Sequence, residues 1–515
     1  MISDYFNNSQ CGDGQSTVHG RFSELAASQH KGRQRPLRRD AQTPCHGRLT
    51  TYRVRAANYF VLLCIAALAI PCIASSDALR AAQLALSPPM GWNSWDAYGF
   101  GIDESAFKAN AAVLARLTSY GWKYAIIDEG WYMKDPAGAD LKSRQYQLDG
   151  HGLLIPAVNR FPSAAKSAGL RPLADWIHQR GLKLGIHIVR GIPRQAVREN
   201  LPIGDSKFQA VDAADITDTC PWDEGNYGVR DNEAGQAYYN SMFRLYAAWK
   251  VDFVKVDCIA NRPYRASEIR QIAAAIQHAG RPMVLSLSPG PTDVSHAEEV
   301  GRYAQMWRIS NDIWDGWTFA HDKPGDDCPT GIASAFEYLA LWASYARPGH
   351  WPDADMLPFG RLAPHPGWGD PRASRLTPDE QRTQFVLWAV ARSPLILGTN
   401  LTQLDEFTRS LITNRRLIEI NQGAWTSRQL ADLPGSYEGV RVWIASKADA
   451  HTGDTIVALF NVGTQPRTIR ADWAELGLGS AGRSVLDLQS GERIGTTSAV
   501  NVQLPAHASA VYRLH

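Results

Sequence analysis

The sequence is poor in net charge, in long apolar runs and in cysteine beyond its first 80 residues. Lys plus Arg (53) nearly cancels Asp plus Glu (51), leaving a net charge of +2. No global field for nucleic acid follows from that balance. The most apolar run, Tyr59–Ile73, is shorter than the ~20 apolar residues a membrane-spanning helix needs. Four of the seven cysteines (Cys11, Cys45, Cys64 and Cys72) precede residue 80, and no Cys-x-x-Cys pair occurs. No internal repeat or low-complexity tract marks the rest of the chain. Tryptophan, by contrast, is plentiful, with 17 residues. Its flat apolar face and single donor suit stacking on sugar rings, although a large core also consumes Trp.

Residues 1–58 lack apolar periodicity and carry the basic stretch His30–Arg39, which reads as a disordered extension or a misassigned start. Arg53 and Arg55, the apolar Tyr59–Ile73 and the small Ala74, Ser75 and Ser76 then form a secretory signal pattern over residues 59–76. Cleavage near Ala74 gives a secreted or periplasmic protein without a stable membrane anchor; retention of the segment as an anchor is the alternative. Leu63 and Pro71 precede Cys64 and Cys72, which argues against a lipid-attachment site. The exported part keeps Cys220, Cys258 and Cys328. An oxidising compartment favours one disulfide plus one free thiol, and a three-cysteine zinc site is the competing reading.

Residues 86–423 alternate short apolar runs with longer amphipathic ones. Strands are expected at Met90–Trp95, Tyr124–Asp128, Leu182–Ile188, Phe253–Asp257, Val284–Ser288, Met306–Ile309, Arg347–Trp351 and Pro394–Gly398. Helices are expected at Glu104–Leu117, Ala234–Ala248, Ala266–His278 and Pro378–Ala391. Eight such units predict an α/β fold, a (β/α)8 TIM barrel. Residues 424–515 read differently. Short strands at Val440–Ser446, Thr455–Phe460, Thr468–Ala471, Ser484–Asp487 and Ser509–Leu514, with Gly and Asp turns, predict a C-terminal antiparallel all-β domain.

The apolar runs of the barrel stop at polar residues, where barrel active sites collect. Phe253-Val-Lys-Val-Asp257-Cys258 places Lys255 and Asp257 on one strand face, and a cation beside a carboxylate favours the ionised form a glycosidase nucleophile requires. A structural ion pair is the plainer reading. Trp307-Arg-Ile-Ser-Asn-Asp312-Ile-Trp-Asp315 holds carboxylates among aromatic residues, a setting that raises a carboxyl pKa and suits a proton donor. Asp128-Glu129 and Asp353-Ala-Asp355 add paired carboxylates. Such pairs also bind divalent metals, but no histidine cluster accompanies them and no metal is expected.

These motifs together resemble glycoside hydrolase family 27, the α-galactosidase group. The resemblance is carried in order by Pro89-Met-Gly-Trp-Asn-Ser-Trp95, Tyr124-Ala-Ile-Ile-Asp-Glu-Gly-Trp131, Gly181-Leu-Lys-Leu-Gly-Ile186, Val251–Cys258, Trp307-Arg308 through Asp312, Trp351–Met356, Ser393-Pro-Leu395 and Ile420-Asn-Gln422. It implies a catalytic barrel followed by an antiparallel Greek-key sandwich. It also implies Asp257 as nucleophile, Asp312 as acid/base, and a sugar subsite of Trp95, Asp128, Glu129, His187, Lys255, Ser288, Arg308 and Asp355. A Cys220–Cys258 disulfide leaves Cys328 free. The substrate becomes a galactose-containing oligo- or polysaccharide, and no cofactor is needed.

Three departures bear on specificity. Many family members carry Asp where Glu129 stands, in the pocket for the C6 group of galactose. An extra methylene there suits a pentose such as β-L-arabinopyranose, and one methylene discriminates by ~1–3 kcal/mol. His187 stands where several members have Tyr. Ser286-Leu-Ser288-Pro-Gly290 replaces a segment that faces the sugar's 2-substituent, which opens room for an N-acetyl group. A carbohydrate-binding protein without catalysis would be expected to lack one of Asp257 and Asp312; both are present.

Overall fold

The computed structural model describes residues 84–136, 145–319, 329–363, 370–447 and 453–515. The N-terminal extension, the signal pattern and Cys328 lie outside the described residues.

Eight strands carry the first part of the chain: β1 (Met90–Asn93), β2 (Tyr124–Ile127), β3 (Lys183–Val189), β4 (Phe253–Asp257), β5 (Val284–Leu287), β6 (Met306–Arg308), β7 (Trp351–Asp353) and β8 (Leu395–Leu397). β2 and β5 are buried at every position, as parallel strands covered on both faces must be. All pairings are parallel, in the order β7-β6-β5-β4-β3-β2-β1-β8. The curled sheet closes just beyond β7, where Leu357 N–H donates to the Ile396 carbonyl (2.8 Å) and Gly398 N–H donates to the Leu357 carbonyl (3.1 Å).

A helix follows each strand: α1 (Glu104–Ala115), α2 (Arg171–His178), α3 (Glu233–Ala248), α4 (Ala266–His278), α5 (Ala297–Tyr303), α6 (Ile332–Trp342), α7 (Pro378–Ala391) and α8 (Arg415–Gln422). Their starts follow local rules. Asp103 and Asn232 cap α1 and α3 through side-chain oxygens, and Thr377 with Glu380 forms a capping box before Pro378 in α7. The eight-unit barrel expected from the alternation is present. One strand lies elsewhere than expected. Arg347–His350 forms a turn, with Arg347 N–H donating to the His350 carbonyl (3.0 Å) and Gly349 at φ +81°. β7 therefore begins where the expected strand ended, at Trp351.

The C-terminal part is antiparallel throughout. β9 (Trp425–Gln429), β10 (Val440–Lys447), β11 (Thr455–Asn461), β13 (Arg483–Asp487), β14 (Arg493–Thr497) and β16 (Ser509–Leu514) form one sheet, ordered β9-β10-β11-β16-β13-β14. β12 (Arg467–Asp472) pairs with β15 (Ala499–Leu504). Val442, Leu459, Ile469, Trp473, Val500 and Tyr512 pack into one core, so side chains from both sheets meet inside a sandwich. Strands β9, β14 and β15 escape the sequence reading. β14 is exposed at four of its five positions, so no apolar alternation betrays it. α7 joins the two layers: Thr383 Oγ1 donates to the His507 carbonyl (2.6 Å), and Glu380 lies 2.7 Å from His507 Nδ1.

Candidate active site

Strand alternation builds the site. Along β4, Phe253, Val254 and Val256 are buried, while Lys255 and Asp257 are only partly covered and turn into the barrel mouth. Asp257 Oδ1 accepts from Cys258 N–H (2.8 Å) and from the Ser288 hydroxyl (3.0 Å). Its Oδ2 lies 3.6 Å from His187 Nε2, because β3 and β4 are neighbours in register. Burial alone would raise the Asp257 pKa. The His187 imidazole, the Lys255 ammonium and the Cys258 N–H outweigh it and hold the carboxyl well below the usual range. Asp257 is thus held ionised.

Asp128, at the end of β2, is the second anchored carboxylate. Its Oδ2 accepts from Asn93 Nδ2 (2.6 Å) and pairs with Lys255 Nζ (3.1 Å); its Oδ1 accepts from Glu129 N–H (2.9 Å). Burial raises its pKa, but His187 and Lys255 pull it below the normal value. Glu129 is buried beside it, 6% exposed. Trp95 follows β1 and stacks edge-on against Phe100 at 4.9 Å, with its N–H held by Asn93 Oδ1 (2.8 Å).

The opposite half is organised by Arg308, at the end of β6. Arg308 Nη2 lies 2.8 Å from Asp355 Oδ2 and 3.0 Å from Asp312 Oδ1. Asp355 sits at φ +82°, a conformation rare for residues other than Gly and tolerated where the surroundings enforce it. Here they do: Ile313 N–H donates to Asp355 Oδ2 (2.7 Å) and Trp388 Nε1 to the Asp355 carbonyl (2.9 Å). Burial drives the Asp355 pKa up, Arg308 opposes, and Asp312 and Asp353 add repulsion. Asp312 differs from every carboxylate around it, with a side chain 54% exposed. The aromatic enclosure expected from its sequence neighbours is absent: Trp307 and Trp314 are buried, while Asp312 faces solvent beside a guanidinium. Asp315, from the same motif, is buried away in a bidentate pair with Arg372 (2.7 and 2.9 Å).

The structure thus brings Asp257, Ser288, His187, Lys255, Asp128 and Glu129 into one half of the mouth, and Arg308, Asp312 and Asp355 into the other. A cavity of about 20 Å³ lies beneath them inside the barrel, walled by Lys255, Arg308 and Asp355 and by the apolar Ile126, Phe253, Met306 and Ile396; that is room for about one water. Cys220 and Cys258 form a disulfide with Cα atoms 6.0 Å apart, directly behind the nucleophile candidate. Sequence reasoning passed over Asn93 and Asp96. Asn93 stands in the Gly91–Trp95 motif at the strand end, a position that marks it in hindsight. No group of three or more His, Cys, Asp or Glu that would hold a metal occurs among the described residues.

A parallel eight-stranded barrel with carboxylates gathered at the carboxyl ends of its strands is an enzyme architecture, and comparison with known proteins gives its class as glycoside hydrolase. Residues 222–423 match the family described as alpha galactosidase A, and residues 437–514 match the alpha galactosidase C-terminal beta sandwich domain. Alpha-galactosidase 2 of Arabidopsis thaliana is 30% identical over 442 residues, covering 84% of this chain and 90% of that protein. Alpha-galactosidase A of Cellvibrio japonicus is 28% identical, covering 85% and 94%. Among solved structures, a β-L-arabinopyranosidase of family 27 from Geobacillus stearothermophilus is 39% identical with a TM-score of 0.77, covering 84% of this chain and 97% of that one. The chain belongs to glycoside hydrolase family 27, the α-galactosidase family.

Proposed function

We propose that this enzyme is a retaining exo-glycosidase that releases terminal α-D-galactosyl residues from oligo- or polysaccharides. Asp312 protonates the glycosidic oxygen while Asp257 attacks the anomeric carbon. The bond to the leaving group breaks as an ester to Asp257 forms. Asp312 then takes a proton from water, which displaces Asp257 and restores the original configuration. One observation carries this assignment: Asp257 is fixed and kept ionised by Ser288, Cys258, His187 and Lys255, whereas the Asp312 side chain is open to solvent. The remaining polar side chains, the buried Asp128, Arg308 and Asp355 and the partly covered Lys255, are available to sugar hydroxyls. The 1% exposed Ser288 serves the nucleophile in this arrangement. The curated relatives named above support galactose as the sugar.

A second reading keeps the mechanism and changes the sugar to β-L-arabinopyranose. Buried Glu129 favours it, as does the 39% identity to the Geobacillus stearothermophilus enzyme. Initial rates on nitrophenyl α-D-galactopyranoside and β-L-arabinopyranoside decide between them, with Asp257→Ala as the inactive control. Faster galactoside cleavage supports the leading reading; faster arabinoside cleavage supports the second. Glu129→Asp is expected to shift the ratio of the two rates about 10–200-fold toward galactoside, and an unchanged ratio removes Glu129 as its cause. Export from the cytoplasm is part of the same proposal. The Cys220–Cys258 disulfide supports it, and no helix among the described residues is long and apolar enough to cross a membrane.

A further inference from the structure

Behind the nucleophile lies a buried polar network that the reaction scheme does not use. Arg190 follows β3 directly and is 2% exposed. Its backbone N–H donates to the Asp257 carbonyl (3.1 Å), extending the β3–β4 ladder by one bond. Its Nε donates to the Cys258 carbonyl (2.6 Å). The rest of the guanidinium is clamped by two carboxylates. Nη1 and Nη2 fork onto Asp218 (2.9 and 2.8 Å), and Nη1 also donates to Glu268 Oε1 (2.8 Å). Glu268 on α4 is held in turn by the Tyr239 hydroxyl from α3, and that hydroxyl accepts from Gly191 N–H (3.1 Å). Arg265 Nη2 reaches Asp218 from the other side (2.5 Å).

We infer that Arg190, anchored by Asp218, Glu268 and Tyr239, is a positioning residue that fixes the backbone of Asp257 and Cys258 and so aims the nucleophile. The need for such a clamp is visible in the chain itself. Cys258 sits at φ +61°, in the left-handed region that residues other than Gly rarely occupy. Its N–H must still point at Asp257 Oδ1, and its side chain is tied to Cys220. A peptide relaxing from this conformation would withdraw the N–H from the carboxylate and rotate the attacking oxygen. Arg190 grips the carbonyls of Asp257 and Cys258, one on each side of the Cys258 Cα, through its backbone N–H and its Nε. The pairing of this buried cation with the buried Glu268 and the partly covered Asp218 also explains why an arginine is tolerated there, since an unpartnered charge would not be. Lysine cannot replace it, because a single ammonium cannot reach Cys258, Asp218 and Glu268 at once.

This inference rests on Asp257 being the nucleophile, and its test separates the two. Arg190→Lys in the full chain is expected to lower kcat/KM on the better aryl glycoside at least 10-fold. Inhibition by the free sugar should change less than 2-fold, because Asp128, Lys255 and Arg308 are untouched. Tyr239→Phe should act in the same direction by a smaller factor, and it carries the test if Arg190→Lys does not fold. Amide hydrogen exchange over residues 253–260 is expected to speed up in both variants. A folded Arg190→Lys or Tyr239→Phe enzyme with wild-type kcat/KM and wild-type exchange in that segment overturns the inference. Equal losses in turnover and sugar affinity overturn it too, since they mark general loosening of the site. Should the wild type cleave neither glycoside, the assigned function falls, and the exchange of residues 253–260 still decides the clamp.

Discussion

Lys255→Met should damage stability and the acid side of the pH profile together. The methionine keeps the length of the stem but removes the ammonium that lies 3.1 Å from Asp128 and that helps to hold Asp257 ionised. Asp128, with a side chain 3% exposed, then loses its ammonium partner and keeps the His187 ring at 4.0 Å. Breaking a buried pair by removing one partner costs about 3–5 kcal/mol. The lower end applies, about 3 kcal/mol, because Lys255 retains 17% side-chain exposure and Asn93 still donates to Asp128. With an unfolding entropy of about 2.1 cal/mol/K per residue over roughly 430 residues, Tm should fall by about 3 °C. The sign of the pH dependence follows from the depressed pKa values of Asp128 and Asp257. Their contribution to stability is present above the unfolded carboxylate value of about 3.9 and is lost as pH falls through the folded one. The Tm gap between wild type and variant is therefore widest near neutral pH and closes in acid. In kcat/KM, the acid limb reports the free nucleophile, and it should move to higher pH. Adding Asp128→Asn should recover part of the lost Tm. Thermal denaturation and pH–rate profiles read both effects; an unchanged Tm together with an unmoved acid limb would refute the pairing.

Asp312→Ala should lower kcat/KM for substrates with poor leaving groups by about 10²–10⁴-fold while sparing kcat/KM for dinitrophenyl glycosides, whose turnover becomes limited by the second step, where Asp312 is the base. Equal losses on both would remove Asp312 from the role of proton donor. Asp96, buried and 1% exposed, has its pKa driven up by burial and then by Asp355 and Asp312. The fold thereby favours the neutral acid, so its contribution to stability is full below the unfolded carboxylate value of about 3.9 and is lost as pH rises from there toward the raised folded value. Asp96→Asn should therefore gain Tm relative to wild type at pH 9 compared with pH 5. A difference constant across that range would show that the fold does not raise the Asp96 pKa, because folded and unfolded states would then bind equal numbers of protons.

The barrel was legible because its strands are short apolar runs that end in charge, and because a two-residue period puts Lys255 and Asp257 on one face. The site residues were legible for the same reason, as polar endings of buried runs. What the sequence concealed lies in register and turns. The meeting of His187 with Asp257 depends on β3 and β4 being adjacent with Val189 opposite Asp257, a fact about pairing that no single strand encodes. The openness of Asp312 depends on the path of its loop, and its tryptophan neighbours pointed the other way. Arg190, Asp218, Tyr239 and Glu268 come from four separate segments, so nothing local marks them as a network. β14 was missed because an exposed edge strand needs no apolar face.

The closure of the sheet has a mechanical meaning. Seven joints between the eight strands are regular parallel ladders, whereas the eighth is two hydrogen bonds through Leu357, four residues past Asp353. A ring yields at its thinnest joint, because local opening is cheapest where the fewest buried bonds must break. Asp355 lies two residues before that joint and reaches back to Arg308 on β6. Breathing of the seam is therefore expected to loosen the wall of the mouth that Asp355 and Arg308 form, much as a bracelet slackens at its clasp.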